Sequence, residues 1–126
     1  MNPSGGVHCS VNDFALYARE HLLGLQGKGK LLKRQEYETM HSIQVTINLR
    51  DMYPHMKQDR EASFGYGWGI VKKEQGYLSA AAGSGGTFFA QIFIYPALDL
   101  AFVGFTNCGN GEKALNDLYK KVTGLK

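Results

Sequence analysis

Five residues in the second half of the chain, Ala82-Gly83-Ser84-Gly85-Gly86, have the composition of a reactive loop. They are one glycine short of Gly-x-Ser-x-Gly, the elbow that carries the nucleophilic serine of many hydrolases. An elbow needs a helix after the serine and a histidine further along the chain to take the proton. Here the residues from Thr87 alternate like a strand, and no histidine follows His55. The pattern therefore argues against Ser84 as a nucleophile.

The same loop also lacks the features of a phosphate-binding loop. No Gly-Lys-[Ser/Thr] follows it, and no helix begins there to face an anion. The simplest interpretation is that the glycines form a tight hairpin and allow two backbones to pack closely. A groove that binds a ligand beside the glycines is the main alternative.

Cysteines and histidines give no clear indication of a metal centre or of any cofactor. Cys9 and Cys108 are too few for a disulfide framework and lack metal-ligand spacing, so we expect two thiols. A disulfide between them is the less favoured alternative, and it requires the first helix to pack near the last strand. The histidines form no close ligand pair in the sequence, at His8, His21, His41 and His55.

The glycine loop lies within a long apolar stretch, residues 78–107, that we expect to form the centre of the fold. Residues 87–95 alternate with apolar side chains on both faces, which predicts a strand covered on both sides. The residues Pro96-Ala97-Leu98-Asp99 predict a turn, and residues 100–106 the returning antiparallel strand.

Three helices are predicted around this hairpin. The first begins after an N-cap at Ser10, with Asp13 three residues on, and ends within residues 24–27. The second spans residues 31–41 and is expected to bury Leu32, Tyr37 and Met40. The third spans residues 112–122 and is expected to bury Ala114, Leu115, Leu118, Tyr119 and Val122.

The remaining stretch between helices and hairpin is predicted as loop and strand. Residues 46–62 are polar, contain Pro54 and lack a clean period, so we expect a long surface excursion. Residues 64–71 alternate between large apolar side chains and glycines, which predicts a strand with one bare face, close to another backbone. The predicted fold class is α+β, with a three- or four-stranded antiparallel sheet covered by an N-terminal helix pair and a C-terminal helix.

Composition is that of one ordinary globular domain, residues 1–126, with 44% apolar and 20% charged residues and a net charge of +3. The basic residues Lys28, Lys30, Lys33 and Arg34 cluster without interleaved aromatics, so we expect a solvated loop and no nucleic-acid partner. No apolar run approaches the roughly 18 residues of a membrane span, and the N-terminus lacks a signal-peptide pattern. We expect a cytoplasmic protein, or a periplasmic or exported one if an upstream leader has been lost.

Four segments in order resemble the C-terminal third of serine β-lactamase-like proteins, the penicillin-binding superfamily of class C β-lactamases, DD-peptidases and related esterases. They are GGVHCSVNDFALYAREHL (5–22), FGYGWGI (64–70), AAGSGGTFFA (81–90) and YPALDLAFVGFTN (95–107). The resemblance implies a catalytic Ser-x-x-Lys pair, a Tyr-x-Asn or Ser-x-Asn element, and a third motif of Lys or His, a small residue and Gly.

The chain departs from all three of those motifs. No serine has a lysine three residues later, and no tyrosine has an asparagine two residues later. Ser10-Val11-Asn12 matches Ser-x-Asn only formally, because it falls at a helix start. The third motif maps onto Ala81-Ala82-Gly83, where Ala81 replaces the cation that would orient a substrate carboxylate. We therefore assign no catalytic residue, and ligand binding in a remnant of the cleft would involve Ala81, Gly83, Ser84, Gly85, Gly86 and Trp68.

The resemblance and the missing motifs lead to three functional hypotheses. The first is a non-catalytic, β-lactamase-like module that self-associates, most simply as a homodimer, through an uncovered sheet surface. The second is one half of a split serine hydrolase, completed by another protein chain that carries Ser-x-x-Lys and the base. The third is an enzyme of another kind, for which hydrolysis of an ester or cephalosporin that depends on Ser84 would be diagnostic.

Overall fold

In the computed structural model, which describes residues 5–125, the first helix begins at the predicted cap. This helix, α1, spans Val11–Leu25, and the Ser10 hydroxyl oxygen accepts from the Asp13 N–H at 3.1 Å. The same hydroxyl donates to the Asp13 carboxylate at 2.7 Å, so the cap and the acid hold each other. The chain leaves α1 at Gly27, whose φ of 76° is in the left-handed region that glycine favours.

The second helix, α2, spans Arg34–Met40 and is shorter than predicted. It begins with the Lys33 N–H donating to Glu36 Oε2 at 2.6 Å, a backbone cap that the apolar pattern did not indicate. Leu32 therefore lies before the helix and is exposed, so its predicted burial is wrong. Tyr37 is buried as predicted, with 1% of its surface exposed, and Met40 is half-buried.

The sheet is antiparallel throughout, with the strands in chain order, which confirms the α+β class and raises the strand number to six. The strands are β1 (Val45–Asn48), β2 (Glu61–Phe64), β3 (Gly69–Lys73), β4 (Gly76–Ser84), β5 (Phe89–Tyr95) and β6 (Leu100–Thr106). A four-residue helix α3 (Leu49–Met52) follows β1, and the last helix α4 spans Glu112–Thr123.

The predicted surface excursion over residues 46–62 is only partly correct. Its first residues form β1 and α3, and Thr46 pairs with Ser63 across the β1–β2 ladder. The two hydroxyls of that pair lie 2.8 Å apart. The alternation Val45-Thr46-Ile47-Asn48 spans only four residues and none of them is fully buried, so pairing with β2 is what stabilises the strand.

The predicted continuous strand over residues 64–71 is wrong, because a turn divides it into β2 and β3. The Gly65 N–H donates to the Trp68 carbonyl at 2.8 Å, and Gly67 has a φ of 79°. The prediction of a close backbone approach is confirmed at Gly65, where a Cβ atom would collide with the Met40 carbonyl oxygen. This contact joins the end of α2 to the β2–β3 turn.

The central hairpin has the predicted strands, and both of its faces are covered. A 3-10 turn at Pro96–Leu98 leads into β6, and Asp99 completes the reversal with a φ of 50°. On one face, α1 packs with Ala18 and Leu22 against a core that also includes Trp68, Ile70, Ile92 and Ile94. On the other face, the rings of Phe93, Phe102 and Tyr119 pack together, with centroids 4.9 to 5.9 Å apart.

The last helix covers less of the sheet than its apolar pattern predicts. Leu115 is buried and Tyr119 is half-buried, as expected. The predicted burial of three other residues is wrong, since the structure exposes Ala114, Leu118 and Val122. These three residues are spaced four apart and lie on a side of α4 that faces away from the sheet.

Candidate functional site

A chain of hydrogen bonds joins three buried polar side chains beneath α1 and α2. His21 Nδ1 and His41 Nε2 lie 2.8 Å apart, and His41 Nδ1 lies 2.7 Å from Ser79 Oγ. All three residues are buried, and only 3% of the Ser79 surface is exposed. The sequence spacing did not indicate this contact, since His21 and His41 are 20 residues apart.

Packing between the two helices positions the imidazoles. His21 projects from α1, His41 is the residue that ends α2, and Tyr37 fills the space between the helices. A Cβ atom at Gly24 would collide with the Tyr37 ring, so this glycine in α1 is what allows the ring to lie there. The Tyr37 hydroxyl donates to Glu20 Oε1 at 2.6 Å, which fixes α2 against α1.

Aromatic rings pack against both imidazoles. The centroid of the Trp68 ring lies 4.5 Å from that of His41 and 5.1 Å from that of His21. The Tyr17 ring lies 4.5 Å from His21, and the Tyr37 ring meets His21 edge-on at 5.6 Å. This packing keeps most water away from the imidazoles and makes a positive charge there unfavourable.

Both imidazoles are therefore neutral at pH 7. Burial, together with a smaller effect of the neighbouring His21, lowers the pKa of His41 from 6.5 to about 4. Burial also lowers the pKa of His21, although the Glu20 carboxylate opposes this change. The pKa of Glu20 is itself lowered, first by the Tyr37 hydroxyl and then by the N–H groups of Leu31 and Lys30.

The order serine, histidine, histidine resembles a nucleophile, a base and a group that orients the base. Two features make it a weak catalyst. An imidazole with a pKa of about 4 holds a transferred proton poorly near pH 7, and a neutral His21 provides no negative charge to stabilise an imidazolium at His41. The arrangement is suited to hydrogen bonding more than to proton transfer.

The free energy of unfolding is expected to fall as the pH drops from 6.5 to about 4. His41 has a pKa near 6.5 when unfolded and about 4 when folded, so the unfolded chain binds more protons in this window. The contribution of His41 to the free energy of unfolding is therefore complete above its unfolded pKa. It decreases as the pH drops and stops changing below the folded pKa. Because water reaches part of the pair, we expect a loss of about 2 kcal/mol, less than the full shift implies.

Urea unfolding at a series of pH values between 7.5 and 4 measures this dependence. His41→Gln should flatten the decline, whatever its effect on stability at pH 7. His55→Gln, which changes an exposed histidine, is the matched control and should leave the slope unchanged. A slope that is the same in all three proteins would contradict the assignment.

A cavity of about 430 Å³ opens beside this chain of hydrogen bonds. His41 and Ser79 form part of its wall, and the remaining residues are Leu25, Glu38, Ser42, Ile43, Ile70, Tyr77 and Pro96. Its surface is mainly apolar, with the Ser79 hydroxyl among a few polar groups, which is the usual character of a small-molecule site.

The two edges of the sheet differ in a way that bears on assembly. β1 has only four residues, two of them the polar Thr46 and Asn48, and the charged residues Arg50 and Asp51 follow it in α3. β6 has seven residues, LAFVGFT, without a charge or a proline, and within residues 5–125 it pairs with β5 alone. Natural edge strands are usually short or charged because an open apolar edge pairs readily with another strand.

A second cavity of about 260 Å³ runs between α1 and β6. The residues that line it are Ala15, Ala18, Arg19, Leu22, Ala101 and Val103. Beside it, Phe105 of β6 stacks on Phe14 of α1 with centroids 5.3 Å apart, yet 40% of its surface remains exposed. We call the β6 strand, this cavity and Phe105 together the β6 surface.

The six residues predicted to line a remnant cleft fall into two groups. Trp68 and Ala81 belong to or pack against the core below α1, and Trp68 is only 5% exposed. Gly83, Ser84, Gly85 and Gly86 are exposed in and after the end of β4, and neither cavity described above is lined by them. Ligand binding at these residues stays a prediction.

The glycine loop makes the tight turn that the simplest interpretation predicts. Gly86 has a φ of 89°, and its N–H donates to the Ser84 hydroxyl at 3.2 Å. A Cβ atom at Gly109 would collide with the Gly86 carbonyl oxygen, which confirms the close packing of two backbones here. β5 follows the loop as a strand, so the geometry of a nucleophile elbow is absent at Ser84.

Sequence reasoning missed the His21–His41–Ser79 chain and the β6 surface. The histidines are 20 residues apart on separate helices, so only the packing of Tyr37 between those helices brings them together. The uninterrupted apolar run of β6 was visible in the sequence, but its position at an edge depends on strand order. That order is a property of the folded sheet.

Comparison with family models, with curated proteins and with solved structures gives no match for this chain. The likeness of the four segments to serine β-lactamase-like proteins therefore stays a prediction. None of the helices described between residues 5 and 125 is both long and apolar enough to cross a membrane. Over the same residues, no group of three or more His, Cys, Asp or Glu side chains is arranged to hold a metal ion.

Proposed function

We propose that this chain is a non-catalytic module that forms a homodimer through the β6 surface. The single observation that carries the proposal is the open, uncharged β6 strand beside an apolar cavity. A second copy pairs its own β6 antiparallel to the first, and the two sheets join into one continuous sheet. An antiparallel pair of identical strands is two-fold symmetric, so the same residues serve both copies.

The residues of β6 are self-complementary under such a two-fold axis. With the axis at Val103, the central residue of the strand, Phe105 of one copy lies opposite Ala101 of the other. Ala101 lines the cavity of about 260 Å³, and Phe105 is the exposed aromatic residue on the same face of the strand. The cavity beside Ala101 of each copy accepts the Phe105 ring of the other, so the two-fold axis produces this contact twice in the dimer.

The surface area of the chain also supports association. Its accessible surface is 9020 Å², about a third more than the roughly 6,700 Å² that a folded monomer of 13.9 kDa has on average. The excess exceeds the ~800 Å² that each partner buries in a standard interface. A chain with this much open surface gains stability when part of it is covered.

The non-catalytic part of the proposal depends on the sequence. No Ser-x-x-Lys pair or Tyr-x-Asn element is present, and Ala81 stands where the resemblance requires a cation. The relationship to serine β-lactamase-like proteins is part of the same proposal, and the α+β architecture with its antiparallel sheet is compatible with it.

Sedimentation velocity over a range of concentrations tests the proposal. The expected result is a monomer–dimer equilibrium that shifts to dimer at high concentration. A chain that sediments as a monomer at every concentration contradicts self-association. If that monomer instead forms a complex only with a different chain, and acyl-ester or β-lactam hydrolysis appears in the mixture, the split-hydrolase alternative replaces it.

A further inference from the structure

We infer that the cavity of about 430 Å³ beside His41 and Ser79 is a binding site for a small neutral molecule with an apolar body and one hydroxyl or carbonyl group. The site is separate from the β6 surface, and the inference does not depend on dimer formation. It rests on the shape of the cavity, on the absence of a cation from its wall within the described residues, and on the hydrogen-bonding capacity of Ser79.

The wall of the cavity selects an apolar body. Leu25, Ile43, Ile70 and Pro96 contribute aliphatic surface from four different parts of the fold. The volume lies within the range of small-molecule sites and is large enough for a ring of six atoms with substituents. An apolar ligand there would displace water from surface that water solvates poorly.

Charge in the surroundings excludes an anionic ligand. The titratable groups that line the cavity are Glu38, His41 and Tyr77, and no lysine or arginine is among them. Glu38, which lines the cavity, pairs with Arg34 at 2.7 Å, so its charge is balanced at the rim. A carboxylate or phosphate would lose its hydration without gaining a cation.

The buried hydroxyl of Ser79 is the group that would fix the orientation of the ligand. A hydroxyl has one donor and two acceptor positions, and the bond to His41 uses one of these three. When the His41 Nδ1–H donates to Ser79, the hydroxyl proton is free to donate to a ligand. When Ser79 donates to His41 Nδ1, its lone pairs remain free to accept.

The second histidine allows both arrangements without a net charge. In the first, His21 Nδ1–H donates to His41 Nε2 and His41 donates to Ser79. In the second, the Ser79 hydroxyl donates to His41 Nδ1, His41 Nε2–H donates to His21 Nδ1, and the proton of His21 is on Nε2. Each imidazole carries one proton in both cases. The two arrangements therefore allow Ser79 to donate a hydrogen bond to a carbonyl group, or either to donate to or to accept from a hydroxyl group.

Binding of p-cresol and toluene, two molecules of similar shape that differ in one hydroxyl, tests the inference. Methyl NMR signals of Ile70 and Leu25 report occupancy directly, since both residues line the cavity. We expect p-cresol to bind with a Kd below about 1 mM and toluene at least about tenfold more weakly, the contribution of one well-formed hydrogen bond.

Two serine variants separate the role of Ser79 from general effects on the cavity. Ser79→Ala should reduce p-cresol binding to the level of toluene. Ser63→Ala is the matched control, because Ser63 is also a strand serine with a hydrogen-bonded hydroxyl, 2.8 Å from that of Thr46, and it does not line the cavity. It should change p-cresol affinity by less than about twofold, since it removes no hydrogen bond to the ligand. The fluorescence of Trp68, the single tryptophan, shows whether each variant is folded.

A third variant keeps the test decisive if Ser79→Ala does not fold. Ile43→Trp adds bulk at the exposed rim of the cavity and should abolish the binding of both molecules. Equal affinities for p-cresol and toluene, unchanged p-cresol binding in Ser79→Ala, or absence of binding by the wild type would each overturn the inference. So would full binding in Ile43→Trp.

Discussion

A Phe105→Lys variant is expected to sediment as a monomer at concentrations at which the wild-type chain is a dimer. In the proposed dimer, two Phe105 rings each enter a cavity of the other copy, beside Ala101. A buried aromatic residue at the centre of an interface typically contributes about 2 kcal/mol or more. Because two rings are lost at once, the dimer Kd should rise by about a thousandfold.

The positive charge of the new lysine allows a second test of the same contact. Arg19 lines the same cavity, so the ammonium group introduced in place of the Phe105 ring would meet Arg19 of the second copy. A double variant, Phe105→Lys with Arg19→Glu, should recover part of the affinity, because a cation then faces an anion. Phe105→Lys with Arg19→Ala removes the repulsion without adding an attraction, so it should recover less affinity than the double variant with glutamate.

Tyr66→Lys is the matched control for Phe105→Lys. It also replaces an exposed aromatic residue by a lysine, but in the turn between β2 and β3, far from β6 in the order of the strands. Its dimer Kd should equal that of the wild type. If both lysine variants weaken association equally, the contact is non-specific and the β6 surface is not the interface.

A Tyr37→Ala variant is expected to lose about 3–5 kcal/mol of unfolding free energy, the usual effect of removing a large buried ring. Tyr37 is one of the two largest fully buried side chains, and its ring fills the space above Gly24 between α1 and α2. Without it, the two helices lose their main contact. His41 then loses its fixed position beside His21 and Ser79.

Urea unfolding of Tyr37→Ala and Tyr37→Phe separates the ring from its hydroxyl. The phenylalanine variant keeps the packing and loses only the bond to Glu20, so it should lose clearly less than half as much stability. The His41 imidazole signals should move strongly in the alanine variant and little in the phenylalanine variant. Equal stability losses would show that the hydroxyl, and not the packed ring, joins the helices.

Local signals in the sequence were sufficient to predict the elements that depend on them. The Ser10 cap predicted the start of α1, and Pro96 with Asp99 predicted the turn before β6. Both signals depend only on residues that are close to each other in the sequence. The prediction that both faces of the central hairpin are covered was also confirmed, because a strand with two apolar faces needs two layers of neighbours.

Features that depend on distant partners could not be predicted in the same way. β1 forms because β2 pairs with it, and the alternation of its own four residues is too short to indicate a strand. The exposed positions of Leu118 and Val122 depend on how much of the sheet α4 covers, which its own periodicity does not determine. The turn at Gly65–Trp68 was detectable in principle, since two glycines so close together favour a reversal over a strand.

The candidate sites show the same division. The glycine loop has the residue types of a reactive loop, yet its Ser84 hydroxyl accepts a hydrogen bond from the Gly86 N–H and so stabilises the turn. The Ser79–His41 contact joins residues 38 apart and has no sequence signature. A buried serine in an alanine-rich strand and a histidine beside an apolar stripe were visible, but nothing in the spacing indicated that they meet.

Hydrogen exchange of the β6 amides, measured well below and well above the dimer Kd, tests the central claim most directly. In the proposed dimer, the outward N–H groups of residues 100–106 donate to the β6 strand of the second copy, so their exchange should slow strongly as the concentration rises. The amides of β1, at the opposite edge, should exchange equally at both concentrations. A dimer that forms while the β6 amides exchange at the monomer rate would contradict the account.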